Sequence, residues 1–163
     1  MKNKLKKATT IVELTLYMGL LSIFLLILFD LFSQIISTQT RSVAVSLVQT
    51  NGNFLLSKLT HDINQANAIT IPASIGSSAV SMTLTIGTTN ASYTVSNGRL
   101  TITDSSGTFN LSDVDTTVSN FVVTRLGNSG GKAGLKIIFT LTSNVVDNSN
   151  LKTKTYQTFV SLR

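Results

Sequence analysis

Residues 9–29, TTIVELTLYMGLLSIFLLILF, decide the fold of this chain, because they are apolar almost throughout. With the neighbouring residues up to 36, they reach the roughly 20 residues that an α-helix needs to span a bilayer. One acid, Glu13, interrupts the run near its start. A carboxylate in hydrocarbon costs about 2.5–3.5 kcal/mol on insertion scales, so a compensating group is expected. The sequence therefore predicts a membrane-spanning helix over residues 9–36.

The net charge of +6 comes mainly from the segment before this run. Lys2, Lys4, Lys6 and Lys7 precede the apolar residues, and the next basic residue is Arg41. Without these four lysines, nine basic residues stand against seven acidic ones. The lysines therefore indicate topology, with the N-terminus in the cytoplasm and the later residues outside, and no direct nucleic-acid partner is expected.

Three schemes of processing are open for such a segment. An ordinary secretory signal is cut after its apolar core at a small-x-small site. The nearest candidates, around Ser42 to Ser46, lie well beyond the core and follow the charged Arg41. An uncleaved anchor fits the length of the run but gives no reason for Glu13. The third scheme cuts before the apolar run, on the cytoplasmic side.

The stretch KKATTIVELTLYMGLL, residues 6–21, resembles the N-terminal signature of type IV pilins and type II secretion pseudopilins. In that family a short basic leader ends in a small residue, and a Glu is the fifth residue of the mature chain. The resemblance implies a leader over residues 1–8, cleavage between Ala8 and Thr9 by a prepilin peptidase, and methylation of the new Thr9 amine. The family usually has Gly and Phe at these two positions. Many major pilins also have a helix proline near the position of Asp30.

The resemblance also implies a partner for Glu13, since this carboxylate is thought to meet the N-terminal amine of a neighbouring subunit. A buried charge is tolerated when it is paired, and breaking such a pair is costly. Glu13 would then fix the register of packed helices in a filament. The simpler alternative is that Glu13 lies at the lipid headgroups, where it stays solvated.

After residue 36 the pattern becomes amphipathic, which predicts that the same helix continues over residues 37–67. The whole helix is expected from about Thr10 to about Ala66. His61 is expected to be a solvated surface residue. The positions that recur at spacings of three and four are Ala44, Leu47 or Val48, Asn51, Leu55, Leu59, Ile63 and Ala66.

From residue 68 to residue 163 the period changes to two, which is typical of β-strands with one buried face. Asn97-Gly98 lies between two alternating runs and predicts a tight hairpin turn. We expect an antiparallel sheet covered by the amphipathic half of the helix. The fold class is therefore α+β, and it agrees with the pilin fold that the resemblance implies.

Asp104, Asp113 and Asp115 cluster in a loop-rich stretch. Some pseudopilins bind calcium through such loops, and carboxylate oxygens are suitable ligands. No ordered ligand spacing is present, so turn-forming aspartates are the simpler interpretation, and neither a metal site nor a cofactor is expected.

The chain contains no cysteine and a single histidine, so thiolate catalysis is excluded and no catalytic residue is expected. The resemblance implies a structural subunit, a minor pilin or pseudopilin of a pilus, secretion or competence system. Its expected partners are a prepilin peptidase, other pilin subunits, the inner-membrane assembly platform and the lipid bilayer. The expected location is the cytoplasmic membrane, followed by an extracytoplasmic filament. The alternative is a single-pass, membrane-anchored binding protein or adhesin that forms no filament.

Overall fold

The predicted fold class is confirmed by the computed structural model, in which one long helix precedes antiparallel β-sheets. The structure describes residues 10–127, 132–147 and 150–162. Within these ranges the helix, α1, is Ile11–Gln65. The strands are β1 Ala68–Ile71, β2 Ser78–Ala79, β3 Ser81–Ile86, β4 Thr89–Ser96, β5 Arg99–Asp104, β6 Gly107–Asn110, β7 Thr116–Leu126, β8 Gly134–Asp147 and β9 Asn150–Ser161.

The chain divides into two compact units, of which one ends at Gln39 and the other begins at Thr40. The first unit holds the apolar part of α1. The second unit holds the remaining part of α1 and all the strands. We refer to the second unit as the ectodomain.

Within the ectodomain, α1 buries one face, because its buried residues recur at spacings of three and four. This stripe matches the predicted one and adds Gly52 and Asp62. The buried residues of α1 are Ala44, Val48, Asn51, Gly52, Leu55, Leu59, Asp62 and Ile63.

The strands form two sheets, where the sequence predicted one. The five-stranded sheet has the order β1-β3-β4-β5-β6, and the four-stranded sheet has the order β2-β7-β8-β9. All the pairings are antiparallel. After β6 the chain turns back, since the N–H groups of Leu111 and Ser112 donate to the carbonyl of Leu100. It then enters β7, which pairs with β2 and β8 instead of β6.

One hydrophobic core joins the helix stripe to the inner faces of both sheets. Its members on the five-stranded sheet include Met82, Leu84, Tyr93 and Leu100, which lie on β3, β4 and β5. Phe109 does not belong to this core, because all four residues of its strand, β6, are exposed. The buried side chains of the four-stranded sheet include Val118, Phe121, Val123, Leu135, Ile137, Phe139, Leu141, Tyr156 and Val160.

The predicted hairpin turn is present between β4 and β5. Asn97 and Gly98 have φ values of 50° and 72°, and Ser96 pairs with Arg99 across the turn. Asparagine and glycine tolerate such positive φ values, which a type I′ turn requires.

Tyr156 on β9 connects α1 to the four-stranded sheet through three contacts. Its ring lies against Gly52, where a Cβ atom would overlap the ring. Its hydroxyl donates a hydrogen bond of 2.8 Å to the carbonyl of Val48. The ring also stacks on Phe139, with ring centroids 5.4 Å apart. Gly52 is therefore required because the aromatic ring occupies the place of a side chain.

Candidate functional site

Glu13 is the predicted assembly residue, and the structure places it in the first turn of α1. Its backbone N–H donates to the hydroxyl of Thr10, at 3.3 Å. Thr10 therefore caps the helix, and Thr10-x-x-Glu13 has the spacing of a capping box. A carboxylate in the first turn also interacts favourably with the helix dipole.

The Glu13 carboxylate has a second local interaction. The hydroxyl of Tyr17, one turn later, donates to Glu13 Oε1 at 3.2 Å. Both side chains are exposed within the chain, so the carboxylate keeps free acceptor positions. Glu13 therefore has partners in its own helix and can still accept hydrogen bonds from another molecule.

The other residues of the predicted site fall before Thr10. These residues, the leader lysines Lys2, Lys4, Lys6 and Lys7 and the cleavage-site residues Ala8 and Thr9, lie outside the described residues. The predictions made for them stay predictions.

The apolar part of α1 is exposed on all sides. From Ile11 to Ile35, no residue is buried by the rest of the chain. Judged by length and composition alone, the described helix α1 is long and apolar enough to cross a membrane. Such a segment serves as a membrane anchor or as a signal segment.

The few polar side chains of this part are satisfied within the helix. The hydroxyls of Thr15 and Ser22 donate to the carbonyls of Val12 and Met18, at 2.9 and 2.8 Å. In hydrocarbon, where no water can serve, such internal bonds are required. The amide of Gln34 donates to Asp30 in the same way, at 2.9 Å.

A buried polar cluster in the ectodomain was not predicted from the sequence. Asp62 is buried in the helix stripe, and the hydroxyl of Tyr93 donates to Asp62 Oδ2 at 2.6 Å. Lys58 Nζ lies 2.8 Å from Asp62 Oδ1, and His61 Nδ1 lies 3.3 Å from it. The carboxylate thus ties α1 to the five-stranded sheet and is paired with a cation.

Burial raises the pKa of Tyr93 far above its ordinary value, and the hydrogen bond and negative charge of Asp62 act in the same direction. Tyr93 is fully buried and stays protonated as the donor of this cluster. The helical spacing of Asp62 from Leu55 and Leu59 is the signal in the sequence that could have placed Asp62 in the stripe. His61 points outward with most of its side chain exposed, as predicted.

Two of the three aspartates considered for calcium, Asp104 and Asp113, accept hydrogen bonds within their own turns. Asp104 Oδ1 accepts the N–H of Ser106 at 2.7 Å, and Asp113 Oδ1 accepts the N–H of Val114 at 2.6 Å. Within the described ranges, no group of three His, Asp or Glu side chains has the geometry of a metal site.

The arrangement of a long apolar N-terminal helix, the later part of which packs on antiparallel sheets, is pilin-like. No protein-family model, no curated protein and no solved structure matches the chain in comparisons of sequence and fold.

Proposed function

We propose that this chain is a structural subunit of a type IV filament or a type II secretion-like pseudopilus, and specifically a minor pilin or pseudopilin. The observation that carries the proposal is Glu13 in the first turn of α1, at the start of its apolar and exposed part. A carboxylate in such a segment is costly in hydrocarbon unless a partner compensates it. The pilin-like arrangement of the later part of α1 with the sheets supports the same conclusion.

In the proposed pathway, a prepilin peptidase cleaves between Ala8 and Thr9, and the new amine of Thr9 is methylated. The leader lysines hold the N-terminus in the cytoplasm, so the ectodomain lies on the outer side of the cytoplasmic membrane. The subunit is then drawn from the bilayer by an assembly platform. Apolar helices pack together, and the Thr9 amine of one subunit pairs with Glu13 of the next. The free acceptor positions of the Glu13 carboxylate suit this pairing.

Mass spectrometry of the mature N-terminus tests the proposal. The full chain would be expressed with and without a prepilin peptidase. We expect the peptidase to remove eight residues and Thr9 to be methylated when the peptidase can also methylate. Ala8→Leu enlarges the small residue of the cleavage site and is expected to block the cut. An intact Met1 in the presence of an active peptidase would contradict the proposal.

A second experiment separates processing from assembly. Glu13→Gln keeps the size of the side chain and removes the charge, so cleavage and membrane insertion should continue while co-assembly with filament subunits is lost. Asp30→Asn removes the next acid along the same helix and is the matched control. If Glu13→Gln subunits assembled as well as the Asp30→Asn control, the pairing would be wrong.

A second candidate is favoured by the local bonds of Glu13. Because Thr10 caps the turn and Tyr17 donates to the carboxylate, Glu13 has a role that needs no neighbouring chain. The chain would then be a single-pass, membrane-anchored binding protein or adhesin that forms no filament. An uncleaved N-terminus, together with normal export of the ectodomain, would favour this candidate.

A further inference from the structure

The outer face of the five-stranded sheet forms a groove of about 590 Å³ that is lined by residues of β4, β5 and β6 and the turn between β4 and β5. We refer to it as the sheet-face groove. Its volume is within the range of about 300–1,000 Å³ that is typical of small-molecule sites. All its lining residues belong to the ectodomain.

The floor of the groove consists of hydroxyl groups that are already paired across the strands. Thr94 and Thr101 face each other at 3.2 Å, and Thr103 and Thr108 at 2.9 Å. The hydroxyl of Thr101 also donates to the carbonyl of Thr94. Each hydroxyl has one donor hydrogen and two acceptor positions, so this floor can still accept hydrogen bonds.

The rim of the groove carries side chains that are not engaged. Within the described residues, no hydrogen bond or ion pair involves the side chains of Ser96, Asn97, Arg99 or Asn110. Arg99 is the single charged residue of the lining, and no acid lies beside it there. The rim therefore presents two amides, one hydroxyl and one guanidinium to the same space.

The rim is held in place by the backbone. The N–H of Val118 on β7 donates to the carbonyl of Gly98 at 2.7 Å. A Cβ at Gly98 would lie 2.9 Å from the side chain of Thr117, so the turn packs closely on β7. The N–H of Leu100 donates to Ser112 Oγ at 3.1 Å. A rim fixed in this way loses little conformational freedom when a ligand binds.

From this lining we infer that the sheet-face groove binds an acidic oligosaccharide, a short chain of sugars that contains a uronic acid. Sugar hydroxyls both donate and accept hydrogen bonds, and they match the hydroxyls and amides of the groove. The guanidinium of Arg99 matches a carboxylate in a bidentate arrangement.

Other ligand classes fit less well. Nucleic acid needs several cations along its phosphates and aromatic rings under its bases, and the lining has one cation and no aromatic residue. An extended peptide adds to the edge of a sheet, whereas this groove lies on the face of β4, β5 and β6 and not along the free edge of β6.

The test is an NMR titration of the isotope-labelled full chain in detergent micelles with trigalacturonic acid. The neutral trisaccharide galactotriose is the ligand control. We expect trigalacturonic acid to shift the resonances of Asn97, Arg99 and Asn110, and to bind at least tenfold more tightly than galactotriose. Shifts confined to other regions, equal binding of the two sugars, or no binding would overturn the inference.

Variants test the assignment of Arg99. Arg99→Gln is expected to weaken binding of trigalacturonic acid by about tenfold or more, because it removes a charge-assisted hydrogen bond. Lys136→Gln removes a cation from β8 in the other sheet and is the matched control, expected to change nothing. Equal losses in the two variants would show a general charge effect and would overturn the site.

A second variant tests the site independently in case Arg99→Gln fails to fold. Asn97→Gly keeps the turn, since glycine tolerates its positive φ, and removes one rim amide. We expect several-fold weaker binding with an unchanged circular dichroism spectrum. Unchanged affinity in Asn97→Gly would contradict the assigned rim. Tighter binding of an oligothymidylate than of the sugar acid would also overturn the inference, in favour of a general polyanion site.

Discussion

The two parts of α1 have the same backbone conformation and opposite surroundings. Up to Gln39 the side chains are exposed on all sides of the helix, and the large ones are nearly all apolar. From Thr40 to Gln65 one stripe is buried against the sheets, and the other faces carry polar groups. Both parts are helical, so helix formation itself does not distinguish them. The arrangement of apolar residues around the axis decides whether lipid and other chains, or the chain's own strands, cover the helix.

The largest difference between the two parts is expected from core truncation. Leu59 is 0% exposed, and Leu25 is 56% exposed. Leu59→Ala should lower the free energy of unfolding of the ectodomain by about 2–5 kcal/mol, because it leaves a cavity. Leu25→Ala should leave this free energy unchanged. Urea unfolding of the full chain in micelles, followed by near-ultraviolet circular dichroism, measures both, and an equal effect of the two variants would contradict the division of α1.

The same chemical group can be removed in both parts, since each has a tyrosine that donates to a carboxylate. Tyr93→Phe should destabilise the ectodomain by about 1.5–3 kcal/mol, because it leaves the buried Asp62 without this donor. Tyr17→Phe removes the matching exposed bond to Glu13 and should not change ectodomain unfolding. The same unfolding assay compares the variants, and a stable Tyr93→Phe would mean that the buried bond contributes little.

The glycines of α1 provide a third comparison. At Gly52 an added Cβ overlaps the ring of Tyr156, whereas at Gly19 nothing lies within 4 Å. Gly52→Ala should cost about 1–2 kcal/mol, because overpacking outweighs the gain in helix propensity. Gly19→Ala should instead make the apolar part slightly more helical. Thermal unfolding and far-ultraviolet circular dichroism report the two effects, and a stabilised Gly52→Ala would refute the close packing on Tyr156.

The smallest effect is a dependence on alkaline pH that the ectodomain alone should show. Burial raises the pKa of both Tyr93 and Tyr156, so the folded state keeps their protons when the unfolded chain releases them. The stability that the two protonated tyrosines contribute is fully present below a pH of about 10 and is lost as the pH rises above it, by up to about 1.4 kcal/mol per pH unit for Tyr93.

Phenylalanine variants assign this pH dependence. Tyr93→Phe should flatten the fall in stability between pH 10 and pH 11, measured as the urea midpoint. Tyr156→Phe should flatten it less, because burial alone raises the pKa of Tyr156, whereas Asp62 adds to the effect of burial at Tyr93. An unchanged slope in Tyr93→Phe would contradict the assignment.

Much of this fold follows from local patterns in the sequence. The limits of α1, its buried stripe and the Asn97-Gly98 turn were predicted, because each depends on residues near one another in the chain. The division into two sheets was not predicted, since it depends on whether β7 pairs with β6 or with β8. Alternation shows which face of a strand is buried but does not identify its neighbour.

For the site, the sequence located Glu13 but not all its partners. The capping spacing of Thr10 and the position of Tyr17 one turn later were readable in the sequence. Both were missed because Glu13 was considered only as paired with a neighbouring subunit or as solvated at the headgroups. Asp62 was missed because a charged residue is normally assigned to the surface. Its burial depends on Tyr93, which lies 31 residues further along the chain.

The bond between Tyr156 and Val48 joins positions 108 residues apart. Closing such a long loop costs entropy before any contact repays it, so this contact is expected late in folding. Until β9 docks, the helix around Gly52 has no cover on that side. In a chain exported from its N-terminal end, the helix surface around Gly52 would thus stay uncovered until almost every strand had emerged. A holding chaperone would bind this uncovered surface, and premature pairing with another copy would begin there.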